Sequence, residues 1–407
     1  MNLQKTSPRI VPILPLEIIE KILGEACEGP MSGVERQTLT VCALVSKSWL
    51  PLARRLLYHS LVVENSRPYA RRSPGTLGPA ALLHRSHLLG FIRSISIRVV
   101  HESPAAVPPF SDIPQGSQEF VRIPDFLSLL AHTPRLRCLH LSVDWAHKNV
   151  HSFEPHMRSH ILNWLSSLVL PIEVLDLRCN RPFESPLVYD LVGIWPTIRA
   201  LRVLTNYGGL LLERPSISLR ELRLPITSLA TVIEWLLPPP KPNEQSNLRF
   251  LELYEIPQEA RAVLSLHGPS VSTLTLTRQP AFDTAHLFPK LEELVIAGPF
   301  WSSPLPAFPR TLKHIRVQVH AFMSDAVVAA ISHALPMLPD LRVISIEEAL
   351  IFDKHYSDLQ EACKTHRVEI LVNSVDSSGS TVVSTRQLFR LICDICHTLT
   401  SAISIPI

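Results

Sequence analysis

Residues 271–276 (Val-Ser-Thr-Leu-Thr-Leu) and 291–296 (Leu-Glu-Glu-Leu-Val-Ile) share one arrangement of apolar residues. In both stretches, apolar residues stand at positions i, i+3 and i+5. The last two of these positions are two residues apart, so in a β-strand their side chains point to the same face. Each stretch therefore predicts a strand whose buried face is marked by this triplet.

The triplet recurs along most of the chain. Its first residues are Ile92, Leu136, Ile172, Ile198, Leu219, Leu248, Val271, Leu291, Leu312 and Leu341. From Ile172 onward, these first residues follow one another at intervals of 20–29 residues. Because 46% of the chain is apolar, the triplet also arises by chance, and its context supplies further support. A proline stands two residues before the triplet in five of the ten cases: Pro134, Pro196, Pro269, Pro289 and Pro339.

Helical stretches are expected between the predicted strands. They cover residues 124–132, 156–168, 228–237, 258–266 and 324–335. Strands that alternate with helices predict an α/β fold with a parallel sheet, because parallel neighbours need a crossover connection. A closing strand is expected at residues 368–372.

The triplet and its period resemble the L-x-x-L-x-L core of a leucine-rich repeat. A regular repeat carries Asn or Cys three positions after the last triplet residue, and here only Asn180 and Asn206 fulfil this rule. We therefore expect an irregular leucine-rich-repeat-like solenoid with a parallel sheet over residues 61–372.

The first 60 residues follow a different pattern, which predicts three short helices. The first helix follows Pro15, the second covers about residues 34–46, and the third covers residues 48–58 and restarts at Pro51. Residues 14–23 (Leu-Pro-Leu-Glu-Ile-Ile-Glu-Lys-Ile-Leu), 45–49 (Val-Ser-Lys-Ser-Trp) and 52–61 resemble the F-box of large fungal families. In those families, an F-box is followed by a divergent leucine-rich-repeat-like array. We place the F-box at residues 9–60.

The resemblance implies a function. F-boxes pack against the Skp adaptor subunit of Skp–cullin–F-box ubiquitin ligases, and the array that follows holds a protein substrate. By their place in the motif, the residues implied in adaptor binding are Leu14, Pro15, Ile18, Ile22, Leu23, Val45, Trp49 and Leu52. The alternative is a leucine-rich-repeat interaction scaffold with no ubiquitin role, whose N-terminal helices only cap the array.

The composition of the chain indicates which kinds of partner it binds and in which cellular compartment it lies. The chain has 39 Lys+Arg and 36 Asp+Glu, so its net charge of +3 argues against nucleic acid and a membrane surface as partners. Charged residues and prolines interrupt both terminal apolar stretches, so we expect neither a signal peptide nor a membrane span. Seven cysteines, an odd number and mostly within apolar runs, indicate a reducing compartment, cytoplasmic and/or nuclear.

Catalytic and metal-binding signals are weak. The sequence contains no phosphate-loop, nucleophile-elbow or H-E-x-x-H motif, and we expect no catalytic residue and no cofactor. The pair Cys393 and Cys396 lacks a second Cys-x-x-Cys, and we interpret both as buried thiols. We interpret the histidine cluster as a solvated insertion and expect no metal there: His147, His151, His156 and His160.

The strand face opposite the triplets is the candidate substrate surface. Positions i+4 and i+6 point to that face by alternation. The candidate substrate-binding residues on it are Arg178, Arg202, Arg223, Glu252 and Tyr254. The three arginines fall on consecutive predicted strands. Two interpretations follow: the flanking Asp176 and Glu252 offset these charges on a solvated face, or the arginines bind an acidic or phosphorylated substrate segment.

The last part of the chain, residues 373–407, begins with a Ser/Thr-rich stretch to residue 384 that predicts a flexible linker. A terminal helix is expected at residues 386–400.

Overall fold

The structure is a computed structural model that describes residues 39–41, 49–63, 76–77, 82–101, 121–145, 155–179, 187–204, 215–226, 229–241, 243–280, 282–301, 307–318 and 325–373. The chain divides into two compact units, Met1–Leu219 and Arg220–Ile407.

The N-terminal unit is a parallel sheet with helices in its connections. Its strands are β1 (Ser60–Val63), β2 (Thr76–Leu77), β3 (Ser94–His101), β4 (Val121–Arg122), β5 (Cys138–Trp145), β6 (Val174–Cys179) and β7 (Ala200–Leu204). Its helices are α1 (Leu50–Leu57), α2 (Ser86–Leu89), α3 (Ile123–Ala131), α4 (Pro155–Ser167) and α5 (Leu187–Ile194). The strand order is β7-β6-β5-β3-β1-β2, and β4 pairs with β3. These pairings are all parallel.

The C-terminal unit repeats this organisation. Its strands are β8 (Glu221–Leu224), β9 (Phe250–Leu253), β10 (Thr273–Arg278), β11 (Glu293–Phe300), β12 (His314–Val317), β13 (Val343–Glu347) and β14 (Glu369–Asn373). Its α-helices are α6 (Ala230–Leu236), α7 (Arg261–His267), α8 (Asp325–Ala334) and α9 (Tyr356–His366), with 3-10 turns at Gly268–Ser270, Leu335–Met337 and Glu348–Phe352. The strand order is β14-β13-β12-β11-β10-β9-β8, again parallel throughout. The predicted α/β class and parallel sheet are confirmed.

The apolar triplets form the core of both units. The ten triplets map onto β3 and β5–β13, and every one of their residues is at most 5% exposed. In the strand register, equivalent triplet positions lie beside one another. In the N-terminal unit, for example, Leu139 pairs with Leu175 and Leu175 pairs with Leu201. In the C-terminal unit, the i+3 residues of β8 to β13 are likewise in register. A slip of one residue would expose an entire row of these side chains, so burial fixes the register.

The recurring prolines stand in the turns that lead into the strands. The amide of Leu136 donates to the carbonyl oxygen of Thr133, and the amide of Val271 donates to Gly268 in the same way. Each hydrogen bond closes a four-residue turn whose second residue is a proline, Pro134 or Pro269. Proline suits this position because its ring presets the backbone φ that the turn needs. The proline before the triplet therefore sets the start of the strand.

Most helix predictions agree with the structure. The five predicted inter-strand helices correspond to α3, α4, α6, α7 and α8, and the predicted closing strand corresponds to β14. The third N-terminal helix is α1, with Pro51 in its first turn as expected. Residues 39–41 are helical, within the predicted second helix. The first predicted helix and the predicted terminal helix lie outside the described residues. The sequence interpretation missed α2, α5 and α9 and the strands β1, β2 and β4.

Candidate binding surface

Polar side chains line the strand face opposite the core in the N-terminal unit. His140, Asp176 and Arg202 are direct neighbours on β5, β6 and β7, because His140 pairs with Asp176 and Asp176 with Arg202 in the strand register. Neighbouring strands lie about 4.8 Å apart, so these side chains meet across the sheet. Together with Arg178 on β6, they form what we term the Asp176 cluster.

The Asp176 cluster joins two arginines and a histidine to one carboxylate oxygen. Oδ2 of Asp176 lies 3.4 Å from Nδ1 of His140, 3.4 Å from a terminal guanidinium nitrogen of Arg178 and 4.0 Å from one of Arg202. Asp176 is only 5% exposed. Burial alone would raise the pKa of Asp176, but the hydrogen bonds from His140 and Arg178 and the charge of Arg202 outweigh it and lower the pKa below its usual value.

The three partners of Asp176 keep contact with water. The side chains of Arg178, His140 and Arg202 are 53%, 42% and 36% exposed. Two enclosed atoms of the cluster, Oδ1 of Asp176 and Nε of Arg202, have no hydrogen-bond partner among the described residues. The cluster therefore presents more positive than negative charge to solvent, held in place by a buried anion.

The C-terminal unit carries the third predicted arginine in a different setting. Arg223 forms an ion pair with Glu221 through its Nε and lies 3.6 Å from a carboxylate oxygen of Glu252. Its guanidinium also lies over the ring of Phe250, 4.2 Å from the centroid. Two carboxylates and an aromatic face hold this cation, so its charge is offset within the sheet.

Tyr254, the last predicted substrate residue, lies beside a further arginine. The guanidinium of Arg278 is 5.8 Å from the centroid of the Tyr254 ring and 3.1 Å from a carboxylate oxygen of Glu255. The backbone also joins the two strands here, because the amide of Arg278 donates to the carbonyl oxygen of Tyr254 at 2.7 Å. Arg178 and Arg202 thus meet through Asp176, whereas Arg223, Glu252 and Tyr254 belong to paired groups of the C-terminal unit.

The sequence interpretation missed a second polar group in the C-terminal unit. Glu293 lies 3.3 Å from Nδ1 of His314 and 3.3 Å from Arg316, and Nε2 of His314 lies 2.8 Å from the hydroxyl of Ser345. The hydrogen bond from His314 lowers the pKa of Glu293 against the effect of burial, and the charge of Arg316 lowers it further. Glu293 and His314 stand at i+2 of their triplets, a position on the same face as i+4. These positions lie two residues before the i+4 positions, so the same rule of alternation could have identified Glu293 and His314 from the sequence.

The order serine–histidine–glutamate is also that of a nucleophile, its base and the group that orients the base. Ser345 is only 3% exposed, however, so its hydroxyl is enclosed by the surrounding side chains. A reacting carbonyl needs direct access to that oxygen. We therefore interpret this chain of hydrogen bonds as a network that orders the polar face.

Two of the predicted adaptor-binding residues lie in the described part of the chain. Leu52 is 7% exposed and packs with the buried Leu39, while Trp49, Leu56 and Leu57 lie partly buried against them. We term these five residues the α1 cluster. The other adaptor-binding predictions lie outside the described residues: Leu14, Pro15, Ile18, Ile22, Leu23 and Val45.

The described residues contain neither a group suited to a metal ion nor a helix suited to a membrane. No three or more His, Cys, Asp or Glu side chains there are grouped so as to hold a metal ion. Of the four histidines in the predicted insertion, His156 and His160 fall on α4, and His147 and His151 lie outside the described ranges. No described helix has both the length and the apolar character needed to cross a membrane.

Comparison with known proteins adds no family. No family model matches the chain, and no curated protein matches it either.

Proposed function

We propose that this protein is the substrate-recognition subunit of a Skp–cullin–F-box type ubiquitin ligase. The observation that carries the proposal is the α1 cluster, directly ahead of the first strand of a parallel sheet. Trp49 and Leu52 stand at positions of the F-box motif that the sequence resembles, and both belong to one small apolar cluster. Tryptophan that is partly exposed beside apolar neighbours is a favoured anchor for a partner protein.

The proposed mechanism is non-catalytic. The F-box binds the Skp adaptor, and the leucine-rich-repeat-like array presents a protein substrate to the ubiquitin-charged enzyme of the assembly. Tethering raises the effective concentration of substrate lysines near that enzyme, so the receptor itself supplies no reactive group. Within the described residues, the α1 cluster precedes the parallel sheet of the N-terminal unit, and this order suits such a bivalent role.

The Asp176 cluster favours a substrate segment that carries negative charge. Arg178 and Arg202 keep about half and a third of their side-chain surface exposed while Asp176 holds their positions. Guanidinium groups pair with carboxylate or phosphate through two parallel hydrogen bonds, and prior positioning reduces the entropy lost on binding. Arg223 is a weaker candidate, because Glu221 and Glu252 already occupy its guanidinium.

Substitution of Trp49 tests adaptor binding. Trp49→Asp is expected to abolish co-purification of the chain with the Skp adaptor, because a charge replaces the apolar anchor. Thermal unfolding of the variant is expected to stay cooperative, since Trp49 is only partly buried. The matched control is Val62→Asp, which makes an apolar-to-acidic change at a 36% exposed residue of β1. The control is expected to retain the adaptor.

Retention of the adaptor by Trp49→Asp would contradict the proposal and favour the scaffold alternative. Deletion of residues 1–60 distinguishes the F-box proposal from the scaffold alternative by a second measurement. If the N-terminal helices are only a cap, the remaining chain is expected to aggregate or melt. If they form a separable F-box, it is expected to unfold cooperatively near the temperature of the full chain.

A second experiment tests the substrate site. The double variant Arg178→Gln, Arg202→Gln is expected to lose the co-purifying proteins that bind through the repeat array, while co-purification of the adaptor is unchanged. Glutamine keeps most of the side-chain volume and avoids placing a new carboxylate beside Asp176. The matched control is Arg135→Gln, Arg310→Gln, which removes two exposed arginines outside the strands. If quantitative mass spectrometry finds the same co-purifying proteins with both double variants, the Asp176 cluster is a solvated face.

A further inference from the structure

The positive charge of the chain is concentrated in one segment. Residues 49–137 contain eleven arginines, no lysine and five acidic residues, a net charge of +6, whereas the whole chain carries +3. The remainder of the chain is therefore net negative. The segment includes α1 and ends directly before β5. A near-neutral total thus conceals a basic region of the N-terminal unit.

The backbone brings three basic residues to one edge of the sheet. The amide of Arg93 donates to the carbonyl oxygen of His59 at 2.9 Å, and the amide of Arg137 donates to the carbonyl oxygen of Arg93 at 2.8 Å. His59, Arg93 and Arg137 thus stand directly before β1, β3 and β5. Neighbouring strands lie about 4.8 Å apart, so these basic side chains start from adjacent points of the backbone.

The charges at this edge act on one another. Desolvation lowers the pKa of Arg93, and three neighbouring positive charges lower it further: Arg137, Arg135 and Arg55. One carboxylate, Glu173, lies 3.3 Å from Arg137 and offsets part of this charge. Like charges held this close repel one another and oppose folding.

The same edge is continuous with the α1 cluster. Arg55 is an exposed residue of α1 and precedes Leu56, a member of that cluster. Burial lowers the pKa of His59, and the charges of Arg93 and Arg55 lower it further. His59 is therefore within range of charges from α1 and from the start of β3. We term Arg55, Arg93 and Arg137 the basic edge.

An apolar cluster beside a basic rim fits a protein partner. Protein interfaces combine an apolar centre with a polar, solvent-accessible rim. The α1 cluster supplies the partly buried Trp49 as an anchor, and the basic edge supplies a rim on which the Arg137 side chain is 52% exposed. Guanidinium groups pair with carboxylates through two parallel hydrogen bonds. A nucleic acid would use the arginines alone and leave the apolar anchor without a role.

We propose that the basic edge binds an acidic segment of the same partner that docks on the α1 cluster. This inference rests on the proposed function, which makes that partner the Skp adaptor, and it adds the charge of the surface that the adaptor presents. Rim charges act mainly on the rate of association and on its salt dependence. We therefore expect adaptor binding that is fast at low ionic strength and slows as salt screens the charges.

Association kinetics of the full-length chain with the purified Skp adaptor test the proposal. In the double variant Arg93→Gln, Arg137→Gln, the association rate constant at low salt is expected to fall about tenfold, with a smaller change in the dissociation rate. The salt dependence of association between about 0.05 M and 0.5 M is expected to flatten. The melting temperature is expected to stay unchanged or rise, because the variant relieves repulsion between like charges. A purely structural role of the two arginines would lower it.

Two further variants serve as controls. Arg93→Lys, Arg137→Lys keeps both charges and is expected to associate within about twofold of the wild-type rate. Arg310→Gln, Arg342→Gln removes the same total charge at exposed residues of the C-terminal unit and is expected to leave the rate unchanged. If the double variant at the basic edge does not fold, Arg93→Gln alone provides the same comparison.

Equal association rates for the wild type and Arg93→Gln, Arg137→Gln would overturn the proposal, and so would an equal loss of rate in the distant control pair. If the double variant binds the adaptor normally but loses a labelled DNA duplex that the wild type binds, the basic edge serves nucleic acid and the proposal is wrong. A wild-type chain that does not bind the adaptor at all refutes the proposed function itself, and this inference with it.

Discussion

Replacing Gly298 by alanine is expected to lower the free energy of unfolding of the C-terminal unit by roughly 3 kcal/mol, the upper part of the range for overpacked positions. A Cβ atom at Gly298 on β11 would lie 2.2 Å from the carbonyl oxygen of Thr277 on β10 and 2.7 Å from its Cγ2. The register between the two strands shifts next to this point, between Leu276 and Arg278. The glycine thus allows the backbones to approach where the pairing changes, and any side chain must push the strands apart.

Gly193 provides the control for this experiment. It lies near the end of α5, and a Cβ atom there would meet nothing within 4 Å. Gly193→Ala is expected to be neutral or to stabilise by up to about 1 kcal/mol, because alanine loses less conformational entropy in a helix. Denaturant titration of both variants measures the difference. A Gly298→Ala protein as stable as the wild type would show that β10 and β11 do not approach as closely as described.

The strands were predictable from sequence because each carries the same local signal. In β7, Leu201 and Val203 are buried and Ala200 and Arg202 face the other way, which is the period-2 alternation of a strand with one buried face. Pro196 adds the turn before it. The local pattern and the long-range pairing agree here, so the local pattern was sufficient.

The missed helices lack such a signal. In α5, Val188, Leu191 and Val192 are buried, and Asp190 is the single charged residue of the helix, so no polar face marks the helical period. In α9 the reverse holds, because only Leu359 and Cys363 are buried among polar residues. Tertiary packing defines both helices, and a single sequence does not display that packing.

The sequence predicted which strand face is polar, but it did not predict which side chains on that face form ion pairs. Alternation placed Asp176 and Arg202 on one face, and strand order made them neighbours. Which cation each carboxylate pairs with depends on side-chain conformation, as the joint contacts of Asp176 with His140 and Arg178 illustrate. Such cross-strand pairs depend on side-chain positions within a few ångströms. A pattern of residue types in the sequence does not contain this information.

Replacing Asp176 by asparagine is expected to destabilise the N-terminal unit by about 1–2 kcal/mol at neutral pH, a value reduced because the cationic partners are partly exposed. The amide removes the charge that offsets Arg178 and Arg202, and its –NH₂ group brings further donors to a site crowded with donors. The control is Asp340→Asn at an exposed carboxylate, where the change is expected to stay within about 0.5 kcal/mol. Denaturant titration at several pH values measures both.

The pH dependence distinguishes a charge effect from a packing effect. The pKa of Asp176 is lower in the folded chain than its usual value of 3.8, so the unfolded chain binds a proton more readily. The stabilisation by Asp176 is therefore fully present above about pH 4 and is lost as the pH falls through the lower, folded pKa. The stability difference between wild type and Asp176→Asn is expected to shrink below pH 4. A difference that stays constant down to pH 2 would show that asparagine disturbs packing, and that the carboxylate charge does not hold the arginines of the Asp176 cluster in place.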